Sequence, residues 1–274
     1  MRTIVHTSDL HFSRVDARVV ATLVTTINDL APDLVVVSGD LTQRARRRQF
    51  LEAAAFLKAL RPPLLVVPGN HDVPMFNIPA RLIAPFAGYR AHISDDLEPV
   101  FDDPEMLVVG LNSVRTVLFS DEGRLNADQA DRGAERLRGA APTAIKIIVT
   151  HHPFDVPSGQ SQDKMIGRSR MAMERLASAG ADLFLAGHLH VSHVGGTATR
   201  YKIAGHSAVL VQAGTMSTRE RGEPNSFNVI RVANRDRVTI DRLSWNPPAS
   251  TFTVGWQGEF RQANGEWSAP IISC

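Results

Sequence analysis

Residues that could do chemistry recur in five short stretches of the 274-residue chain: Asp9-Leu10-His11, Gly39-Asp40, Gly69-Asn70-His71-Asp72, His151-His152-Pro153 and Gly187-His188-Leu189-His190. Carboxylate, imidazole and amide oxygen without thiolate suit Mn, Fe, Zn, Co or Ni, not a structural cysteine–zinc site. Asp9, His11, Asp40, Asn70, His151, His188 and His190 can all be assigned as ligands to a pair of such ions. Asp-X-His and His-X-His each set two ligands on one side of an extended segment, because strand residues two apart point the same way. Asp40 has two oxygens and no local histidine partner, so it is the natural bridge. Two metals about 3.5–4 Å apart lower the pKa of a shared water and stabilise both oxygens of an in-line displacement. The leaving group then needs a proton. His71 adjoins Asn70 and precedes Asp72, so it reads as a general acid with Asp72 as its orienting carboxylate. Each stretch alone has a bland explanation as a surface pair, a turn or a satisfied histidine pair. Their joint occurrence, each ending an apolar run, points to a two-metal centre that hydrolyses a phosphate ester.

The elements that must position these residues follow from the apolar pattern. Residues 3–8, Leu34–Val37 and Leu64–Val67 read as buried strands, separated by helices from about Ser13 to Leu30 and Arg46 to Leu60. Ser13 with Asp16 resembles a capping box, and Pro32 and Pro62-Pro63 end the helices. Continuous apolar strands joined by crossover helices imply a parallel sheet, with polar site residues at the strands' carboxyl ends. Residues 73–105 read as short helices and loops. Further strands are expected at Leu107–Leu111, Ile145–Val149 and Leu183–Leu185, with helices at Asn126–Arg138 and Met171–Ala179. The Gly- and Ser-containing loop 154–168 is placed to border a substrate. From Val191 onward, short strands with little helix between them suggest a second, largely antiparallel sheet packed on the first. The Asn264-Gly265 turn and the break at Trp245-Asn246-Pro247-Pro248 divide the chain into a domain of residues 1–245 and a β-hairpin appendage at 246–274.

Composition bounds the partners. Thirty basic and 28 acidic residues leave a net charge of +2, which speaks against nucleic acid or an anionic membrane as the main partner. The only cysteine, Cys274, excludes an intrachain disulfide and fits a reducing cytoplasm. The N-terminus does not resemble a signal peptide, and no window approaches the ~20 apolar residues of a membrane span.

The ordered set Asp-X-His, Gly-Asp, Gly-Asn-His-Asp, His-His-Pro and Gly-His-X-His resembles the calcineurin-like metallophosphoesterase superfamily from residue 3 to about 232. The resemblance implies a four-layer α/β/β/α sandwich of two mixed sheets flanked by helices. It implies that Asp9, His11 and His190 hold one metal, that Asn70, His151 and His188 hold the other, and that Asp40 bridges. His71 becomes the outer-sphere acid, and His152 a neighbour of the ligand His151. Gly39-Asp40-Leu41-Thr42 and His151-His152-Pro153-Phe154 are similar to segments of bacterial cyclic-nucleotide phosphodiesterases and glycerophosphodiesterases. Gly214-Thr215-Met216-Ser217-Thr218-Arg219 resembles a segment that follows the last ligand in related enzymes. The implied function is hydrolysis of a small phosphodiester, first a 3′,5′-cyclic nucleotide, by two ions drawn from Mn, Fe or Zn. The alternatives are another phosphate ester on the same fold (glycerophosphodiester, phosphomonoester, lipid-precursor pyrophosphate or nucleic acid) or a non-catalytic scaffold.

Other residues carry weaker signals. Asn70 and Arg219 are candidate substrate contacts, and Arg221 lies close by in sequence. Arg44-Ala45-Arg46-Arg47-Arg48 is either a phosphate-steering patch or a solvated helix start, the second being the simpler reading. His6, His92, His193 and His206 read as hydrogen-bonding core or surface histidines, and Trp245, Trp256 and Trp267 as packing. The tail could pair with another chain's sheet edge and form a homodimer.

Overall fold

Alternation along the strands decides the layering. The computed structural model describes residues 1–116, 120–203 and 205–272, and Cys274 lies outside them. Strands β1 (Arg2–Thr7), β2 (Leu34–Val37) and β3 (Leu64–Val66) run parallel, linked by helices α1 (Ala17–Leu30) and α2 (Arg47–Ala59). Leu34 and Val36 of β2 face one way, into an apolar layer with Ile4, Leu65 and residues of a second sheet. Val35 and Val37 face the other way, onto Leu23 and Ile27 of α1 and Phe50 and Ala53 of α2. A strand buried on both faces must be apolar at every position, hence the continuous runs.

Beyond β3 come two short helices, α3 (Ile78–Ile83) and α4 (Ala87–His92), then β4 (Val100–Asp103), β5 (Met106–Gly110), α5 (Ala127–Gly139), β6 (Ile145–Val149), α6 (Ser169–Ser178) and β7 (Leu183–Ala186). The remaining strands are β8 (His193–Gly196), β9 (Val209–Gln212), β10 (Ser226–Asn234), β11 (Arg237–Asn246), β12 (Thr251–Ala263), β13 (Glu266–Trp267) and β14 (Ile271–Ile272). One sheet has the order β13-β12-β11-β10-β1-β2-β3, with β14 on β12; the other has β4-β5-β6-β7-β9-β8. Their facing sides share Val36, Val67, Val108, Ile147, Leu185, Val211 and Ile230. Helices α5 and α6 cover the far side of the second sheet through Ala134, Leu137, Met173 and Leu176. The result is the expected four-layer α/β/β/α sandwich of two mixed sheets.

Sheet membership departs from the sequence expectation. The C-terminal strands do not form a sheet of their own. Strand β10 pairs antiparallel with β1, so the late strands extend the N-terminal sheet, whereas β8 and β9 join the middle strands. Apolar residues in both groups record burial, not which edge a strand meets. Strand β4, within the stretch read as irregular, is half exposed and acidic, so no apolar run marked it. The start of α1 also differs. Asp16 is the cap, accepting from the Arg18 amide, while the Ser13 hydroxyl accepts from Gln49 Nε2.

Within residues 246–272, strands β12, β13 and β14 join the first sheet. Strand β12 is registered with β11 from Arg237↔Arg261 to Asn246↔Thr251. Asn264 and Gly265 close the β12–β13 turn with φ of +53° and +84°, the left-handed pair of a tight hairpin. Phe252 and Phe260 are buried in the two core layers on either side of this sheet. Among the described residues, no helix is long and apolar enough to cross a membrane. Because Phe260 is 1% exposed between the sheets, Phe260→Ala should cost about 3–5 kcal/mol in urea denaturation followed by circular dichroism. A loss below about 1 kcal/mol would show that β12 contributes little to the core.

Candidate metal centre

Six parallel strand ends converge at one rim of the sandwich. Asp9 and His11 follow β1, Asp40 follows β2, and Asn70 to Asp72 form a 3-10 turn after β3. From the second sheet, His151 follows β6, His188 and His190 follow β7, and Arg219 lies in the loop after β9. Asp9, His11, Asp40, His188 and His190 have φ between +47° and +74°. Left-handed backbone is uncommon for residues with a side chain, and its concentration here marks loops whose shape is imposed by their surroundings.

The side chains form two groups. Asp9, His11, Asp40 and His190 are buried and bring their ligand atoms within 4.8 Å of one another. His11 Nε2 lies 2.9 Å from His190 Nε2, 3.6 Å from Asp9 Oδ1 and 3.5 Å from Asp40 Oδ2. In the second group Asn70 Oδ1 lies 3.0 Å from His151 Nε2 and 3.1 Å from His188 Nδ1. Asp40 stands between the groups, its Oδ1 3.4 Å from His151 Nε2. Asp9 Oδ1 is a buried carboxylate oxygen with no hydrogen-bond partner, aimed at the His11 and His190 nitrogens. Convergent lone pairs on buried carboxylate, amide and imidazole atoms suit divalent cations, and this donor set fits a pair of them. Neighbouring carbonyls hold the rings from behind. His151 Nδ1 donates to the Ser38 carbonyl at 2.8 Å and His190 Nδ1 to the Arg219 carbonyl at 2.9 Å, leaving each Nε2 turned inward.

His152 is close to His151 and His188, but both its ring nitrogens are engaged. Nε2 donates to the Asp121 carbonyl at 2.9 Å, and Nδ1 pairs with Ser113 Oγ at 2.9 Å. Burial, reinforced by neighbouring His151, pushes its imidazole down to about 3, so it is a neutral bracing residue.

One expectation about the Gly-Asn-His-Asp motif is corrected. Asp72 does not orient His71. Its carboxylate accepts the amides of Leu41, Thr42 and Gly69, tying the second and third ligand loops together. His71 Nδ1 instead meets the Gln43 carbonyl at 2.8 Å, while its Nε2 lies 3.3 Å from Arg219 Nη1. Asp72 points back along the chain because a buried carboxylate needs several donors, and backbone amides supply them. Gly69 has a φ of −107° and ψ of 174°, which suit any residue. Space is the reason for a glycine here, since a Cβ would overlap the Asp40 amide and carboxylate. A Cβ at Gly187 would likewise overlap Ser8 Oγ.

A cavity of about 590 Å³ opens beside His71, lined by Arg14, Gln43, Arg44, Met75, Asp121 and Arg219. Arg219 Nη1 also lies 3.3 Å from His11 Nε2, so this arginine spans the first ligand group and the cavity. Arg44 lines the cavity and stacks over Phe76 at 4.7 Å, whereas Arg46, Arg47 and Arg48 are solvated; the basic cluster thus combines both readings. Arg221 is exposed and does not line the cavity. Loop 154–168 lines a separate cavity with His193 and Arg200, and its Lys164 pairs with Asp121 of the first cavity at 2.9 Å. Sequence reasoning missed Arg14, three residues after His11. It also missed the carbonyls of Gln43 and Ser38, which leave no trace in residue type.

Over residues 2–192 the sequence matches the calcineurin-like phosphoesterase family. The chain belongs to that family. A probable cyclic nucleotide phosphodiesterase of Synechococcus is 29% identical over 126 residues, covering 45% of this chain and 43% of that protein. A probable glycerophosphodiester phosphodiesterase GpdQ of Arcobacter nitrofigilis is 28% identical over 171 residues, covering 60% and 59%. The chain thus spans about half the length of these curated relatives. A dimetal phosphatase from Danio rerio shares the fold with a TM-score of 0.63 at 15% identity, over 88% of this chain and 95% of that one.

The phosphoesterase core makes metal binding sensitive to geometry and to protons. Asp40→Ala should abolish retention of two Mn²⁺ per chain after dialysis, and Gly69→Ala, which keeps every ligand, should weaken it by about tenfold or more. Unchanged retention in Gly69→Ala would show that the loop can yield. Burial opposes the charged form of His151 and His190, but Asp40 and Asp9 respectively outweigh it and raise both imidazoles above their usual range. A cation must displace those protons, so apparent Mn²⁺ affinity should fall as pH drops. A flat titration between pH 6 and 9 would contradict the placement of these histidines among the ligands.

Proposed function

We propose that the chain is a phosphoric ester hydrolase that cleaves a small phosphodiester with two bound metal ions, Mn, Fe or Zn. The observation that carries this reading is the pair of buried ligand groups joined by Asp40 and opening on an arginine-lined cavity. Asp9, His11 and His190 would hold one ion, Asn70, His151 and His188 the other, and Asp40 both. Bound there, the ions supply an activated water and charge stabilisation for in-line displacement.

The chain's own residues do the rest. Arg14, Arg44 and Arg219 offer fixed positive charge to a phosphate at the cavity mouth, and the Arg219 guanidinium can trade its histidine contacts for phosphate oxygens. Asn70 can add its amide N–H to the same phosphate. The Gln43 carbonyl keeps a proton on His71 Nδ1, so Nε2, released from Arg219 as the guanidinium turns to the phosphate and then protonated from solvent, is the atom that would deliver a proton to the leaving oxygen. The first reading of the substrate is a 3′,5′-cyclic nucleotide, as the name of the Synechococcus relative suggests. The longer match to the Arcobacter protein favours a glycerophosphodiester as the second. The catalytic unit is read as residues 1–245, with 246–274 as a hairpin on its first sheet. Its exposed Ile271 and Ile272 offer an edge for a homodimer, and the single cysteine supports a cytoplasmic setting.

Side-by-side turnover of cyclic AMP, glycerophosphoethanolamine, single-stranded DNA and p-nitrophenyl phosphate with Mn²⁺ tests the substrate class. Less than one bound ion per chain, together with no hydrolysis of bis(p-nitrophenyl) phosphate, would sink the enzyme reading. His71→Ala should retain both ions and lose about 10²–10⁴-fold in rate on a diester with an alkoxide leaving group. It should lose far less with p-nitrophenolate. Full activity on the alkoxide diester would remove His71 as the acid.

A further inference from the structure

His6 is a buried polar group that the proposed chemistry leaves unused. It sits in β1 with no exposed surface, and its ring bonds the side chain of Ser38, whose backbone carbonyl bonds His151. Asn228 Nδ2 donates to the Gln212 carbonyl at 3.2 Å and reaches His6 Nδ1 at 3.5 Å. An amide N–H facing Nδ1 leaves the imidazole proton on Nε2. That N–H donates to Ser38 Oγ at 2.9 Å. The Ser38 carbonyl then accepts from Ser8 Oγ at 3.2 Å and from His151 Nδ1 at 2.8 Å. Burial pushes the His6 imidazole down to about 3, so the ring remains a neutral, one-sided donor.

A backbone carbonyl can orient an imidazole only as firmly as its own residue is held. Ser38 lies between the last residue of β2 and Gly39, which turns with φ +96°. A Cβ at Gly39 would stand 2.7 Å from His151 Nδ1, so this turn and the His151 ring are in close contact and a small shift in one reaches the other. In the other ligand group, His190 is held from a different segment, by the Arg219 carbonyl.

We infer that His6 is a positioning residue for the ion site of Asn70, His151 and His188, holding Ser38 so that the Ser38 carbonyl aims His151 Nε2. The inference rests on the two-ion reading above. Its expected signature is one-sided, because the chain of contacts reaches His151 and not His190.

Calorimetric titration of the metal-free full chain with Mn²⁺ tests it. Two backgrounds isolate the sites: His190→Ala leaves the Asn70 group intact, and His151→Ala leaves the Asp9 group. Adding His6→Phe should weaken Mn²⁺ binding about tenfold or more in the first background and less than about twofold in the second. His6→Gln, whose amide N–H can replace Nε2–H, should recover most of the affinity. Ser38→Ala, which keeps the carbonyl but drops the hydroxyl, should reproduce the loss should His6→Phe fail to fold. Equal losses in both backgrounds, or none in either, overturn the inference while leaving the two-ion reading intact. Fewer than two Mn²⁺ on the unaltered chain overturns both.

Discussion

Burial of the Asp40 carboxylate is the constraint around which the site is arranged. A charge at 1% exposure is tolerated only when donors or cations surround it. One oxygen takes the His71 amide at 2.8 Å and faces His151, and the other faces His11. For the third ligand loop to come this close, its first residue must have no side chain. Gly69 meets that demand, and Asp72 then ties its amide and those of Leu41 and Thr42 into one unit. The two most similar-looking motifs, Gly-Asp and Gly-Asn-His-Asp, are therefore halves of a single folded object.

The sandwich makes that object rigid. Strands buried on both faces end abruptly at one rim, and the six that carry site residues are parallel within their own sheets. Left-handed backbone at five candidate ligands would be costly in a free loop. Here neighbouring backbone bonds fix it: Asp9 N to the Gly39 carbonyl, His11 N to the Asp40 carbonyl, His188 N to Asp9 Oδ2. Each of these loops is thus held by another of them.

The buried candidate ligand groups and the cavity beside them are built largely from different residues. The ligand atoms are buried and held by backbone carbonyls of Ser38 and Arg219. The cavity wall that a substrate would meet is built from other residues, Arg14, Arg44, Met75 and Asp121, on loops of both sheets. Arg219 belongs to both parts, since its carbonyl holds His190 while its guanidinium reaches the cavity.

By itself the sequence determined a parallel sheet buried on both faces and where the candidate ligands fall, while the four layers were implied by the family resemblance. Continuous apolar runs report burial on both faces, and a polar residue directly after such a run must lie at a strand end. It marked Asp9, Asp40, Asn70, His151 and His188 as strand-end residues for that reason. It did not determine which sheet each late strand joins, because the apolar residues of β10 and β9 record burial and not the strand they pair with. Nor did it show that Asp72 braces loops instead of His71, that Gly69 serves clearance instead of conformation, or that His6 reaches His151 through Ser38. These depend on backbone amides and carbonyls, which every residue carries alike. Only the folded structure decides which of those identical groups come within hydrogen-bonding distance.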